Sequence, residues 1–383
     1  MLHTSYIELS KSALNNNLQF LQKHINKDTR YSMVIKANAY GHGIEDILPL
    51  IEDYGVDHFS IFSAVEAMRA NKVKQDKCDL MIMGWISNES MEWAIEQDIS
   101  FYVFTLDRLK AAYEASKKVG KPAKIHIEIE TGMHRTGFCR DELETVVDII
   151  KKYGKCLEIE GICTHYAGAE NINNYNRIQN QIKTFHELCT WVSDQGIDAK
   201  YRHTACSAAL LNYPETAMDL VRIGISNYGF WPSNEIRMNK MLKEYDNQDP
   251  LQRVLSWKSE VMSIKSVDEG EYVSYGTSFM TNRKTKIVTV PVGYGYGYSR
   301  NLSNMGHVLI HGKRVPVIGA VNMNMMVVDA TDVQNVKEGD EVVLIGSQGD
   351  ITITVSSFSD MTNSLNYELL TRLPNHIPRY IVD

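Results

Sequence analysis

A lysine set among apolar residues is the first group in this chain that could do chemistry. Lys36 lies in YSMVIKANA (31–39), where burying an ammonium group is costly. Burial would lower its pKa and suit it to Schiff-base or proton-transfer chemistry; a lysine with a buried stem and a solvated head is the alternative. Other polar groups lie within, at the end of or just after apolar runs further along. They are His165 in CTHY, His203 and Ser207 in HTACS, Arg222 in LVRIGIS with Gly224 and Ile225 after it, and Arg135 in TGMHR. Either histidine alone could be a core residue satisfied by one backbone hydrogen bond. Brought to one mouth, these groups would form a site. The Ser207 hydroxyl and the unobstructed N–H groups of Gly224 and Ile225 suit a phosphate, and a buried lysine facing such a cradle points to pyridoxal phosphate. The glycine-rich VGYGYGYS (292–299) has no helix after it, so it reads as a strand-end turn and not a nucleotide loop.

These groups share a position only if the apolar runs are parallel strands. Eight such runs begin at YSMVIKANA (31–39) and end at LVRIGIS (220–226), separated by amphipathic segments such as TLDRLKAAYEASKKVG and CRDELETVVDIIKKYG. Strands separated by helix-length segments pair in parallel, and eight βα units are the count of a barrel whose active site lies at the C-terminal strand ends. An open doubly wound sheet is the competitor, with fewer strands and a Gly-rich first turn. After Trp231 the polar PSNEIRMNKMLKEYDNQDP reads as a connector. VLSWKSEVMSIKSV, EYVSYG, KIVTVPVG, MMVVDAT and EVVLIGS then read as strands, with HGKR (311–314) as a hairpin turn and SSFSDMTNSLNYELLTRL as a short helix. The expected fold class is α/β. An N-terminal (β/α)8 TIM-type barrel over 1–235 precedes a mostly antiparallel β domain over 246–383.

The chain's 383 residues include 40 basic and 47 acidic side chains, a net charge of −7. That balance argues against nucleic acid or an anionic membrane surface as a partner. No run approaches the roughly 18 apolar residues of a membrane span, and MLHTSYIELS lacks a secretory layout, so the cytoplasm is expected. Six scattered cysteines without C-x-x-C read as free thiols, and the twelve histidines form no metal motif, so no metal is expected.

VIKANAYGHG resembles the pyridoxal-phosphate lysine motif of the alanine racemases, a family built from a barrel and a β domain. TGMHRTG, THYAG, HTACSAA, VRIGISNYG, VSYGTSF, VNMNMM and NYE continue the likeness in the family's order across nearly the whole chain. The resemblance implies that Lys36 carries the cofactor as an aldimine and is the base on the D face. Tyr275 would be the opposite base, supplied by the β domain of the other subunit, so a homodimer with shared active sites is expected. Tyr40, Ser207, Gly224, Ile225 and Tyr367 would hold the phosphate. Arg135 and the N–H of Met323 would take the carboxylate of a small amino-acid substrate. His165 would orient Tyr275, and His203 would bond Arg222, which faces the pyridine nitrogen. An arginine can only donate, so that nitrogen stays neutral and the weaker electron sink favours return of the proton to Cα over transamination.

The chain departs from the family pattern at four places. His134 stands where glycine is usual, and Glu128 stands for a carbamylated lysine that steadies the arginine. Asn322-Met323-Asn324 replaces Cys-Met-Asp, and Tyr296 in GYGYG takes the place of an aspartate. The expected activity is interconversion of L- and D-alanine by a Lys/Tyr two-base mechanism, supplying D-alanine for peptidoglycan. Asn324 and Tyr296 leave open a broader racemase acting on serine or basic amino acids. A decarboxylase of the same fold would carry C-terminal motifs absent here, and a non-catalytic cofactor-binding protein would lack the β domain.

Overall fold

All eight expected runs are strands of one parallel sheet in the structure, a computed structural model that describes residues 3–244, 249–362 and 366–383. They are β1 (Arg30–Val34), β2 (His58–Ile61), β3 (Asp79–Ile82), β4 (Ser100–Val103), β5 (Ala123–Glu128), β6 (Leu157–Cys163), β7 (Tyr201–His203) and β8 (Leu220–Ile223). Hydrogen-bonded ladders run from β7 back to β1 and on to β8. The ring closes between β7 and β8 through single backbone bonds: Asp219 N–H donates to the Arg202 carbonyl (3.1 Å), and Arg222 N–H to that of Ala205 (2.9 Å). A paired fork from Arg202 to the Asp219 carboxylate (2.8 and 3.2 Å) reinforces the seam. Strands covered on both faces must be apolar throughout, and β2, β4 and β8 are buried at every position.

The helices between strands carry their own start and stop signals. Ser63 caps Ala64–Val73 in a reciprocal box with Glu66. Thr105 caps Leu106–Val119, which stops at Gly120 in the left-handed region (φ 79°). The expected connector after Trp231 contains a further helix, Asn234–Glu244, before residues 245–248, which lie outside the description.

The second compact unit comprises 1–12, 40–46 and 253–383; the barrel unit comprises 13–39 and 47–252. The expected split at 235/246 therefore needs correcting at the N terminus. Strand Ser5–Ser10 belongs with the β domain, antiparallel to Leu255–Glu260 and parallel to Arg379–Val382. This sheet continues through Glu341–Gln348 to the hairpin His307–Ile310/Lys313–Pro316. The expected turn falls at His311-Gly312, both at positive φ. Ser263–Val267, Thr285–Val290 and Met326–Asp329 form a separate antiparallel sheet. EYVSYG is not a strand; only a single bridge, Tyr272 to Met280, forms there. The expected C-terminal helix is two, Val355–Thr362 and Asn366–Thr371, with 363–365 outside the description.

The strand Ser5–Ser10 is internal to its sheet, with Ile7 and Leu9 fully buried and Trp257 Nε1–H donating to Ser5 Oγ (2.8 Å). Ile7→Ala should cost about 2–5 kcal/mol. The transition followed by tryptophan fluorescence in urea should move to lower denaturant, and an unmoved midpoint would show that the strand is dispensable.

Candidate functional site

Lys36 does not end a strand as expected. β1 closes at Val34, and Lys36 opens a turn in which Ala37, Asn38, Ala39 and Tyr40 all have φ between 52° and 56°. Left-handed backbone costs an L-residue about 1–2 kcal/mol, so something must hold it. Ala39 N–H donates to the Ile35 carbonyl (2.8 Å), Asn38 N–H to Glu66 Oε1 (3.3 Å), and Arg69 Nη2 to Asn38 Oδ1 (2.6 Å). Glu66 thus caps a helix and pins the lysine turn at once. Burial, with the charges of Arg135 and Arg222, lowers the Lys36 pKa against the opposing influence of Cys206 and Glu66. A lysine so placed is partly neutral nearer physiological pH and can act as a nucleophile or base.

Arg135 follows β5 in a loop wrapped around one carboxylate. Glu130 accepts hydrogen bonds from the N–H groups of Gly132, Met133 (2.7 Å), His134 (2.8 Å) and Arg135 (3.4 Å). His134 takes φ 58° there, the conformation for which glycine is better suited. The expected partnership of Glu128 with Arg135 is not an ion pair among the described residues. Glu128 is buried and hydrogen-bonds Thr136; burial raises its pKa, while Arg135 and Arg222 act on it through longer-range attraction. The support for Arg135 is Glu130, acting through the backbone. Sequence reasoning missed Glu130, Glu66 and Arg69. Ser63-x-x-Glu66 carries a capping signature, whereas nothing in the spacing marks the other two.

Arg222 on β8 is buried with no carboxylate among its hydrogen-bond partners. Its Nη1 donates to His203 Nδ1 (2.5 Å) and the His203 carbonyl (2.8 Å), and its Nη2 to the carbonyls of Thr164 (2.9 Å) and Thr204 (3.3 Å). Its Nε–H takes part in none of the described hydrogen bonds. His165 feels Arg222, Arg135 and Lys36; burial and those three cations push its pKa down to about 3. Gly224 N–H meets the Ser207 hydroxyl at 3.1 Å, while Ile225 N–H opens a short 3-10 turn with no described partner. Lys36, Arg135, His165, His203, Ser207, Arg222, Gly224 and Ile225 all lie in the barrel unit.

The remaining expected residues lie in the other unit. Tyr40 and Tyr367 meet edge to face, centroids 6.2 Å apart. Tyr275 sits on a turn between Ser274 (φ 66°) and Gly276 (φ 74°) and is 74% exposed. Ser274 Oγ donates to the Ala320 carbonyl (2.8 Å) and meets Asn322 Oδ1 at 3.3 Å, tying this turn to the loop of Met323. The Met323 carbonyl accepts from Gly295 N–H (2.8 Å), and its own N–H enters no described hydrogen bond. Tyr296 packs edge-on against His376 (5.4 Å) within its own unit.

The donor set fits pyridoxal phosphate. A lysine with depressed pKa would suit its aldehyde, the hydroxyl and backbone N–H groups at the ends of β7 and β8 would suit a phosphate, and the Arg222 Nε–H would suit a ring nitrogen. A lysine and a phosphate cradle at the strand ends of a (β/α)8 barrel, with a β domain beside it in sequence, define a pyridoxal-phosphate enzyme of the barrel class.

Comparison with known proteins narrows this class. Residues 9–232 match the family model for the alanine racemase N-terminal domain, and 254–381 that for the C-terminal domain. The alanine racemase of Leptospira interrogans is 34% identical over 381 residues, covering all of this chain and 96% of the relative. The crystal structure of alanine racemase from Bacillus anthracis with bound L-Ala-P superposes with a TM-score of 0.90 at 30% identity, covering 100% of this chain and 95% of that one. That from Bartonella henselae with covalently bound pyridoxal phosphate gives 0.84 at 26%, covering 99% and 100%. The chain belongs to the alanine racemase family, and pyridoxal phosphate is its cofactor.

The barrel holds His58, His126, His165 and His203 neutral. Burial is the chief cause in each, pushing His58 and His165 to about 3 and the other two well below the ordinary value. In the ordinary histidine range and for some way below it, each gains its proton on unfolding. Their neutral burial is therefore tolerated above the unfolded-state value of about 6.5, and stability is lost as pH falls from there, down to about 3 for His58 and His165, at up to about 1.4 kcal/mol per pH unit for each histidine. Urea midpoints measured from pH 7 down to 4.5 should fall steadily; a flat profile would contradict the neutral assignment.

Proposed function

We propose that the protein interconverts L- and D-alanine with Lys36 and Tyr275 as opposed bases, in the cytoplasm, supplying D-alanine for peptidoglycan. The observation that carries this reading is Lys36 buried just past β1, with its pKa lowered by that burial and then by the charges of Arg135 and Arg222. Pyridoxal phosphate, when bound at this site, would supply an electron sink that acidifies the Cα–H of the substrate amino acid.

The protein's own groups then divide the work. Ser207, Gly224 and Ile225, with Tyr40 and Tyr367, hold the phosphate. Arg135 and the Met323 N–H receive the substrate carboxylate, fixing which face of Cα each base meets. Lys36 takes or returns the proton on one face, and Tyr275 does so on the other. A free phenol has a pKa of about 10, so the cations of the site must favour its ionised form. The neutral His165 can hydrogen-bond that phenol without adding a charge. Arg222, a donor only, holds the ring nitrogen unprotonated, which favours return of the proton to Cα.

Tyr275 would serve the barrel of a second copy. Its exposure on a turn, with Tyr272, Met280 and Met323 also more than half exposed, supports a homodimer in which each β domain completes its partner's site. Equal mixing and reassociation of Lys36→Ala and Tyr275→Phe subunits, each singly inactive, should restore about a quarter of wild-type racemisation, because half of the dimers carry one intact site. No recovery would exclude the shared site.

A broader substrate range rests on the family likeness at Asn324, where the common pattern has an aspartate. The uncharged Asn324 lies beside Gly295, where an added Cβ would come 3.0 Å from the Met323 carbonyl oxygen and 3.5 Å from Asn324 Oδ1. Chiral chromatography of alanine, serine, lysine, arginine and glutamate incubated with the holoenzyme decides this. Racemic alanine alone supports the narrow enzyme, equal racemisation of serine or lysine supports the broad one, and an unchanged panel overturns both. Glu130→Gln should raise KM for alanine about tenfold, since Arg135 loses the anion that orders its loop, and a KM unchanged within twofold would remove Glu130 from substrate positioning.

A further inference from the structure

The barrel interior carries a polar chain that none of the roles above uses. From His203 the hydrogen bonds continue away from the mouth: His203 Nε2 meets His126 Nδ1 at 2.8 Å, His126 Nε2 meets Ser100 Oγ at 3.1 Å, and Ser100 Oγ reaches the Leu80 carbonyl at 3.3 Å. Both rings are completely buried. The direction of every bond is set at one end. Arg222 has no lone pair, so His203 Nδ1 must accept. A neutral His203 then carries its proton on Nε2 and donates to His126 Nδ1. His126 carries its own proton on Nε2 and donates to Ser100, which donates to Leu80.

The backbone is shaped around this chain. His126 is on β5 and His203 on β7, so they meet across the intervening β6. At the meeting point β6 has Gly161, and an added Cβ there would fall 2.2 Å from His126 Nδ1 and 2.8 Å from His203 Nε2. Gly161 comes opposite His126 because the β5–β6 register slips by one residue: Ile125 pairs with Ile159 and His126 with Gly161. A bulge of this kind re-aims side chains at a functional site. A strand interior gains nothing from glycine unless another group needs the space.

We propose that His126, Ser100 and Gly161 are positioning residues for the cofactor ring, locking His203 as a pure acceptor so that Arg222 is held with its Nε–H free toward the ring nitrogen. This rests on the proposed placement of that nitrogen against Arg222. Without the relay, His203 can turn over to its other tautomer and present N–H to Arg222, which must then move. A displaced Arg222 lets water protonate the ring nitrogen, and the stronger electron sink diverts turnovers to transamination.

The test uses the holoenzyme and the variants Ser100→Ala, His126→Phe and Gly161→Ala, with Arg222→Lys as control. Two readouts are taken: the histidine tautomers from nitrogen-15 NMR of histidine-labelled protein, and the ratio of racemisation to cofactor loss by transamination, followed by decay of the cofactor's visible absorption. Wild-type His203 and His126 should both be protonated at Nε2. Gly161→Ala and His126→Phe should release the His203 tautomer and lower the ratio about tenfold, a typical effect of outer-shell partners, with Ser100→Ala smaller in the same direction. Wild-type protonation of His203 at Nδ1, or a ratio unchanged in both Gly161→Ala and Ser100→Ala, overturns the proposal even if His126→Phe does not fold. If Arg222→Lys also leaves the ratio unchanged, the placement of Arg222 against the cofactor is what has failed.

Discussion

A buried guanidinium with no carboxylate beside it is the constraint on which the rest of the barrel depends. Removing a charge from water costs several kcal/mol unless it is paired or hydrogen-bonded, and the two Nη groups of Arg222 are held by uncharged acceptors alone, its Nε–H aside. The carbonyls of Thr164, His203 and Thr204 turn inward to it, and the His203 ring adds a lone pair. Its own N–H meanwhile donates to Ala205 and helps to close the β7–β8 seam. One residue therefore joins barrel closure to the electrostatics of the mouth. A carboxylate in contact would have satisfied the same charge, but it would have offset the positive field that adds to burial in depressing the Lys36 pKa.

Two acidic residues near the mouth, Glu130 and Glu66, are used on the backbone. Glu130 gathers the amides of the Arg135 loop, and Glu66 takes an amide of the turn after Lys36 while capping a helix. Both places carry left-handed backbone at non-glycine residues, which persists only where surrounding bonds over-determine it. Anchoring the peptide groups fixes where Lys36 and Arg135 begin while leaving their cationic ends to act on ligands.

Much of the architecture was legible in the chain because period and burial are local properties. The alternation of apolar runs with amphipathic segments marks all eight barrel strands, and His-Gly between two apolar runs marks the hairpin at 311–312. Lys36, Arg222 and the histidines near strand ends were visible for the same reason: a polar group in an apolar run stands out against its neighbours. Tyr275 was visible only through VSYG and its likeness to a family, since the turn that presents it has no periodic signal.

What the tertiary structure decided are pairings between residues far apart. Ser5–Ser10 alternates like any strand, and nothing in it says that its neighbours are Leu255–Glu260 and Arg379–Val382. The left-handed turn after Lys36 depends on Glu66 and Arg69, some thirty residues on. His126 reads as one polar residue in AKIHIEIE, and becomes part of a relay because a bulge brings Gly161 opposite it and leaves room for His203. Composition and spacing report how each residue is surrounded along the chain. Which donor meets which acceptor across a closed barrel is set by strand register, and register is a property of the assembled sheet.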